Sequence, residues 1–391
     1  MNTAQLEEVK TAARNLSQVS EKQKNLFLQV LSDVMLENKN KILSANRRDI
    51  KRALQIDMKS SFIQRLTLSE GALISLANRL IELKKITCKM HEILEETHQE
   101  NILLQKVRTP LGIIAVIYEA RPEVTVDVVA LCIKSSNAVI LKGGSEGSNT
   151  ISVFIYCIQK ALQKTKINTS VVTSLSSSKR SEIHELITND AYIDLVIARG
   201  GYAMVREIMN KSSIPVLAHA AGGARIYIDK SANLSLVEEI IINAKTSKPA
   251  ACNSLDTIVV HTDIAGKALP LIYKICKSYG IEVVKNIWDQ EFLDLKLSIK
   301  IVKDHNEAIT FMNTYSKNHS EGIIAQDEKV IETFTKLVDA AALFVNSSTR
   351  NHDGYAFGLG AEIGIATGKL HARGPVGLNE LTSYKWIAYG N

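Results

Sequence analysis

From about residue 113 onward, short apolar runs alternate with glycine turns and helical segments, and this alternation confines the chain to few folds. Ile113–Ile117 is continuously apolar, as a parallel strand covered on both faces would be. Ala138–Leu141 leads into Gly143-Gly144, and Leu195–Ala198 into Gly200-Gly201. Val171–Leu175 precedes a polar helical stretch, and Val216-Leu217, Ile226–Ile228, Val259-Val260 and Ile299–Val302 follow. Strand, turn and helix in repetition predict an α/β fold with a largely parallel sheet. Residues 1–95 differ. Leu26, Val30, Leu31 and Val34 recur at helical spacing, as do Leu73, Leu76, Leu80 and Leu83, and no Pro interrupts them. Between the two regions, Asn101–Val107 has strand character and Thr109-Pro110-Leu111-Gly112 is a turn.

The chain's 391 residues suit two or three domains at roughly 150 residues each. The formal net charge is +6, but Lys and Arg are dispersed without a basic block or stripe. That argues against nucleic acid or an anionic membrane as partner and suits an anionic small molecule. The five cysteines are widely spaced with no C-x-x-C, which argues against a disulfide framework and against a zinc site, so no metal is expected. The first residues carry acids, unlike a signal or transit peptide, and no apolar run approaches the ~18 residues of a membrane span. A reducing, cytoplasmic setting is expected.

The turns at Gly143-Gly144 and Gly200-Gly201 each follow a strand and open a helix. Helix N-termini so placed bind phosphates. Neither has G-x-G-x-x-G spacing, and no phosphate-loop motif occurs, so ordinary tight turns remain an open alternative. Cys252 stands in Asn243–Asn253 among Pro249, Ala250 and Ala251, a segment with little side-chain bulk. Lys245 and Lys248 are expected to draw its pKa below the ordinary thiol value of about 8.5. A nucleophile and a small core hydrophobe are both open readings of this residue. Cys132 and Cys157 lie in apolar helical patterns and read as core.

Three segments then carry a resemblance. Thr109–Gly144 (TPLGIIAVIYEARPEVTVDVVALCIKSSNAVILKGG), Asn243–Leu255 (NAKTSKPAACNSL) and Val345–Trp386 (VNSSTRNHDGYAFGLGAEIGIATGKLHARGPVGLNELTSYKW) resemble the gamma-glutamyl phosphate reductases, a family of the aldehyde dehydrogenase superfamily. Ile42–Ile50 and Trp288–Val302 add shorter matches, in order and nearly end to end.

The resemblance implies an aldehyde dehydrogenase-like α/β fold. A Rossmann-type coenzyme domain is expected over residues 1–223, with a small oligomerisation hairpin at about 98–110. An α/β catalytic domain over 224–365 and a returning segment over 366–391 complete it. It further implies NADPH-dependent reduction of L-glutamyl 5-phosphate to glutamate-5-semialdehyde and phosphate, the second step of proline biosynthesis. Cys252 takes the family's nucleophile position, where a thiolate suits an activated acyl group. Its own backbone N–H is the expected oxyanion donor. Lys142 is implied at the adenosine ribose or its 2′-phosphate with Glu146 near it, Gly200 and Gly201 at the pyrophosphate, and Glu291 at the nicotinamide ribose. Ala198 stands where the family has Pro. Arg121, Arg350, His371 and Arg373 are the cationic candidates for substrate carboxylate and phosphate. The base of hydrolytic relatives, a Glu before Gly-Gly, is absent: Ala220-Ala221 precede Gly222-Gly223. A reductive enzyme gains from that, since water would waste its thioester. The family's Cys and His after the Ile214-Pro215-Val216 stretch are replaced by Ala224 and Arg225, which raises a change of substrate fit or a neutral repacking. A homo-oligomer and a complex with glutamate 5-kinase are the implied partners. The alternatives are the same chemistry on another acyl phosphate or an aldehyde, and a non-catalytic partner of that kinase.

Overall fold

Five helices open the chain. In the structure, a computed structural model that describes residues 1–175, 180–219 and 222–390, they are α1 (Thr3–Leu16), α2 (Glu21–Glu37), α3 (Lys39–Gln55), α4 (Ser60–Leu66) and α5 (Glu70–Lys85). The side chains of Asn2, Ser20 and Ser69 accept from first-turn amides of α1, α2 and α5, donors that a helix leaves unmet. α5 buries Leu73, Leu76, Leu80 and Leu83, each worth about 1.5–3 kcal/mol of transfer free energy. The stripe of α2 is Phe27, Leu28, Leu31, Val34 and Met35, while Leu26 is 51% exposed. The 3.6-residue period turns position 26 away from that stripe.

Helix gives way to strand before residue 95. β1 (Ile93–Gln99) and β2 (Ile102–Pro110) pair antiparallel. The alternation then follows: β3 (Ile113–Tyr118), α6 (Val124–Lys134), β4 (Ala138–Gly143), α7 (Ser148–Lys164), β5 (Val172–Ser174), α8 (Arg180–Ile187), β6 (Leu195–Arg199), α9 (Tyr202–Lys211) and β7 (Val216–His219). Their sheet has the order β5-β4-β3-β6-β7, and β3, buried along its whole length, pairs parallel with β4 and β6. Cys132 and Cys157 are buried in α6 and α7.

A second sheet is built from β8 (Ala224–Ile228), α10 (Leu234–Thr246), β9 (Leu255–His261), α11 (Thr262–Ser278), β10 (Glu282–Val284), β11 (Lys296–Val302), α12 (His305–Tyr315), β12 (Ser320–Ile324), α13 (Glu328–Leu337) and β13 (Ala342–Val345). Its order is β10-β11-β9-β8-β12-β13, parallel throughout. Side chains alternate between its faces. Ile226, Ile228, Ile258 and Val260 pack with α10 and α11, whereas Tyr227, Val259 and Ile323 pack with α12 and α13. The chain ends in β14 (Ile365–Ala366), β15 (Gly374–Pro375) and β16 (Thr382–Gly390), the last adding to β2 antiparallel.

These elements form two compact units. One comprises Met1–Ala218, Gly358–Gly364 and Val376–Asn391, the other His219–Phe357 and Ile365–Pro375. The chain changes unit at 218/219 where 223/224 was expected, because the Gly222-Gly223 pair packs on Cys252 of the second unit. Where one crossing near 365 was expected the chain changes unit three times, at 357/358, 364/365 and 375/376, since β14 and β15 pair with each other inside the second unit. Among the described residues, no helix is long and apolar enough to cross a membrane, and no group of three or more His, Cys, Asp or Glu is placed to hold a metal.

Candidate active site

Cys252 lies in the turn between α10 and β9 and is half-buried. The turn is tight because its neighbours are small and its main chain is held. The Gly223 amide donates to the Cys252 carbonyl at 2.7 Å. Gly222 approaches so closely that a Cβ there would stand 2.5 Å from Cys252 Cβ and 2.6 Å from Glu291 Oε1. The structure thus gathers Gly222, Cys252 and Glu291 in one place, three positions far apart in sequence. Gly223 adopts φ 123°, a conformation open to glycine. Ala220 and Ala221, where the missing base was located, lie outside the described residues.

The expected help from Lys245 needs correction. Lys245 is fully buried and its Nζ stands 3.5 Å from Asp256 Oδ1, so its charge already has a partner. Burial pushes Asp256 up to about 6 and pulls Lys245 below its ordinary value. Asp256 also accepts from the Phe292 amide at 3.4 Å, which ties the Glu291 segment to β9. Lys248 is exposed on the same turn.

In the first unit, a cavity of about 660 Å³ opens beside Gly143-Gly144. Ile56, Met58, Ile151, Ile155 and Leu175 give it apolar walls, and Arg52, Ser145, Ser148, Ser152 and Ser174 line its polar side. That division suits a flat heterocycle joined to a polar, anionic sugar phosphate. Arg52 was not singled out from sequence. Its Nη2 donates to the Ser145 carbonyl at 2.5 Å and to the Glu146 carbonyl at 2.9 Å. Lys142 ends β4, nearly buried, with Glu182 at 3.8 Å. Glu146 folds back over Gly144 and accepts from the Ala120 amide at 2.6 Å.

Both helix N-termini expected to face phosphate are met by protein carboxylates. Asp49, fully buried on α3, accepts from the Asn149 and Thr150 amides at the start of α7, at 3.2 and 2.8 Å. Glu119 accepts from the Gly201 amide at the start of α9 at 2.7 Å. These contacts supply negative charge where the helix dipole favours it. Gly200 packs on the same Glu119 carboxylate.

Among the cationic candidates, Arg121 is half-buried in the turn after β3 and makes no ion pair with another described residue, though its charge favours ionised Glu123. Arg373 is engaged: its Nη1 lies 2.6 Å from Asp339 Oδ1, and Lys369 holds the other oxygen at 2.7 Å. His371 is exposed with φ 48°. Arg350 Nη1 donates to Asn253 Oδ1, and its Nε donates to Ser247 Oγ at 3.2 Å.

The Arg225 substitution has a structural explanation. Arg225 is on β8, in register with Glu321 of β12, and the buried pair meets at 3.1 Å. Its Nη2 also donates to the Trp288 carbonyl at 2.8 Å and to the Tyr315 carbonyl. It is packed into the second unit's sheet, and this removes its support for an altered substrate.

Residues 2–286 match the family model described as the aldehyde dehydrogenase family, and the chain belongs to that family. Among curated proteins, it is 39% identical over 398 residues to a gamma-glutamyl phosphate reductase of Carboxydothermus hydrogenoformans, covering 97% of this chain and 96% of the relative. The protein of the same name from Thermodesulfovibrio yellowstonii is 39% identical over 401 residues, with 98% and 96% covered. Among solved structures, gamma-glutamyl phosphate reductase from Thermotoga maritima superposes with a TM-score of 0.94 at 35% identity, covering 99% of this chain and 98% of that one.

Proposed function

We propose that this chain reduces L-glutamyl 5-phosphate to glutamate-5-semialdehyde and phosphate, using NADPH and a thioester on Cys252. The observation that carries the reading is similarity to gamma-glutamyl phosphate reductases over 97% of the chain. The accessible Cys252 turn supports it. The Cys252 thiolate attacks the acyl carbon, and the bond to the phosphate oxygen breaks with its electron pair leaving on phosphate. When bound, NADPH supplies the hydride that reduces the thioester carbonyl. Cleavage of the carbon–sulfur bond then returns the thiolate and frees the aldehyde. Gly222 lets the backbone close on Cys252, and the Gly223 amide holds the turn by its carbonyl. Ala220-Ala221 give no carboxylate before the glycine pair to turn water on the thioester.

The cavity at Gly143–Ser148 fits the adenosine end of the cofactor, with apolar walls for the base and Arg52 for an extra phosphate. Lys142 would hold the adenosine ribose or its 2′-phosphate with Glu146 near it, Gly200 and Gly201 would face the pyrophosphate, and Glu291 would hold the nicotinamide ribose. Arg121 and His371 remain candidates for the substrate's anionic groups. Exposed Ile93, Ile102, Tyr384 and Trp386 on the three-stranded sheet support assembly with further copies. A cytoplasmic location and an encounter with the kinase that makes the labile substrate accord with such an activity.

The test runs the reaction backwards. Glutamate-5-semialdehyde, phosphate and NADP⁺ are supplied and NADPH absorbance is followed, with Cys252→Ala in parallel. Phosphate-dependent NADPH formation that vanishes in the variant is expected. Activity that needs no phosphate, or that survives in C252A, overturns the reading.

A further inference from the structure

The residue after the nucleophile is held more firmly than a surface turn requires. Asn253 is nearly buried between α10 and β9, and every polar atom of its side chain has a partner. Its Nδ2 donates to the His352 carbonyl at 3.0 Å, and its own carbonyl accepts from Thr349 Oγ1 at 2.9 Å. Arg350 Nη1 closes the remaining side by donating to Oδ1. The anchor on the far side is rigid. His352 is fully buried, its Nδ1 lies 2.8 Å from Ser320 Oγ, and Ser320 Oγ lies 2.7 Å from His319 Nδ1. The His352 ring stacks on Phe357 at 5.6 Å. Asn253 is thereby fastened to the start of β12 and to the turn after β13.

Arg350 itself differs in charge partner from the buried cations of this unit. The buried cations described in this unit have carboxylates: Arg225 has Glu321 and Lys245 has Asp256, and half-buried Arg373 has Asp339, each within 4 Å. Arg350 makes no such ion pair among the described residues, and its guanidinium is held by the neutral oxygens of Asn253 and Ser247. A cation so placed calls for a negative charge nearby, and the adjacent ionisable groups are the Cys252 thiol and Asp353. Burial works against the charge of Arg350, while Cys252 and Asp353 work for it. Such coupling is mutual, so the guanidinium favours the thiolate as much as the thiolate favours the guanidinium. The other charged groups around the turn are Glu291, drawn in across Gly222, exposed Lys248, and the Lys245–Asp256 pair, which is internally balanced.

We infer that Arg350 is a positioning residue for the nucleophile: through Asn253 it fixes the Cys252 turn, and its charge holds Cys252 as the thiolate, in place of a direct contact with substrate. The inference rests on the proposed role of Cys252 as nucleophile.

The test reads the thiol without any substrate. Full-length protein is alkylated with iodoacetamide from pH 5.5 to 9.5, and labelling of Cys252 is followed by mass spectrometry, the other four cysteines being buried. In the parent protein the midpoint is expected below the ordinary thiol value of about 8.5. Arg350→Gln should raise it by about one unit, roughly a tenfold loss of thiolate at neutral pH, with kcat falling and KM nearly unchanged. Arg350→Lys keeps a charge beside the sulfur and should hold the midpoint close to the parent's. A parent midpoint at or above about 8.5 overturns the inference even if R350Q does not fold. So does an R350Q protein with an unmoved midpoint, or one in which KM alone rises, the mark of a substrate contact. The alkylation midpoints need no acyl compound, so a different substrate for the enzyme would leave them standing, while kcat and KM are read in the reverse reaction.

Discussion

The turn around Cys252 leaves no room for a side chain at residue 222, and Gly222→Ala measures how much that matters. A Cβ at this position would stand 2.5 Å from both Cys252 Cβ and the Cys252 carbonyl oxygen, and 2.6 Å from Glu291 Oε1. Carbon contacts settle at about 3.5–4.0 Å, so the methyl must push its surroundings by roughly 1 Å. Glu291 can swing away. The two Cys252 atoms cannot, since one is main chain and the other is attached to it, so no rotamer change removes the clash. The turn must therefore move against the 2.7 Å bond from Gly223 N to the Cys252 carbonyl. Overpacking of this kind costs about 1–3 kcal/mol of stability. A displacement of about 1 Å at a reacting group costs on the order of 10²-fold in rate. The expected result is a kcat/KM for the reverse reaction lowered about a hundredfold, with a melting temperature only a few degrees below the parent's. Gly266→Ala is the control. It lies in α11 with no atom within 4 Å of an added Cβ, and should raise stability by about 0.5–1 kcal/mol without touching activity. A G222A protein that keeps kcat/KM within twofold of the parent would refute the claim that close approach at Gly222 sets the nucleophile.

Two further perturbations bear on the cofactor cavity and on the second unit's core. Arg52→Gln removes the cation that lines the cavity beside Ser145 and Ser148. Loss of charge-assisted hydrogen bonds should weaken NADP⁺ binding by about tenfold or more and NAD⁺ binding much less. Titration calorimetry compares the two, and an equal loss for both would sink the phosphate role. Glu321 is fully buried against Arg225, and burial pushes its carboxyl up from 4.5 to about 7. The native protein then keeps this proton where the unfolded chain has released it, so stability falls as pH rises from about 4.5 through 7 and levels off above. Urea midpoints between pH 4.5 and 8 should show that decline in the parent and a flatter profile in Glu321→Gln. Parallel profiles would show that Glu321 titrates as in the unfolded chain.

How much of this was legible depended on whether a residue's environment is set by its neighbours in sequence. β3 announces itself because both faces are covered, which makes Ile113–Ile117 apolar without interruption. β12 does not. It begins Ser-Glu-Gly, and Glu321 is tolerated in a buried strand only because Arg225 stands opposite it in the neighbouring strand. A pattern based on hydrophobicity has no means of finding a strand whose burial is licensed by a charge on another segment. The same pairing turned Arg225 from an apparent clue about substrate into a feature of packing. β16 was missed for the opposite reason. Most of its residues are exposed, and its pairing with β2 joins segments more than two hundred residues apart.

The site divides along the same line. Small residues around Cys252 were visible because a close backbone approach demands small side chains locally, whereas the place of the glycine pair at 222–223 came through likeness to a family. Glu291 and Lys142 were reached through likeness to a family, since an isolated Glu or Lys carries no local signature of its task. Arg350 shows what remains. Its contact with Asn253 spans 97 residues of sequence, and four cationic candidates looked alike until the structure showed Arg373 held by Asp339 and Arg350 without a carboxylate partner among the described residues. What distinguishes a cation that meets a substrate from one that serves a nucleophile is the identity of its partners, and those are fixed only when the chain has folded.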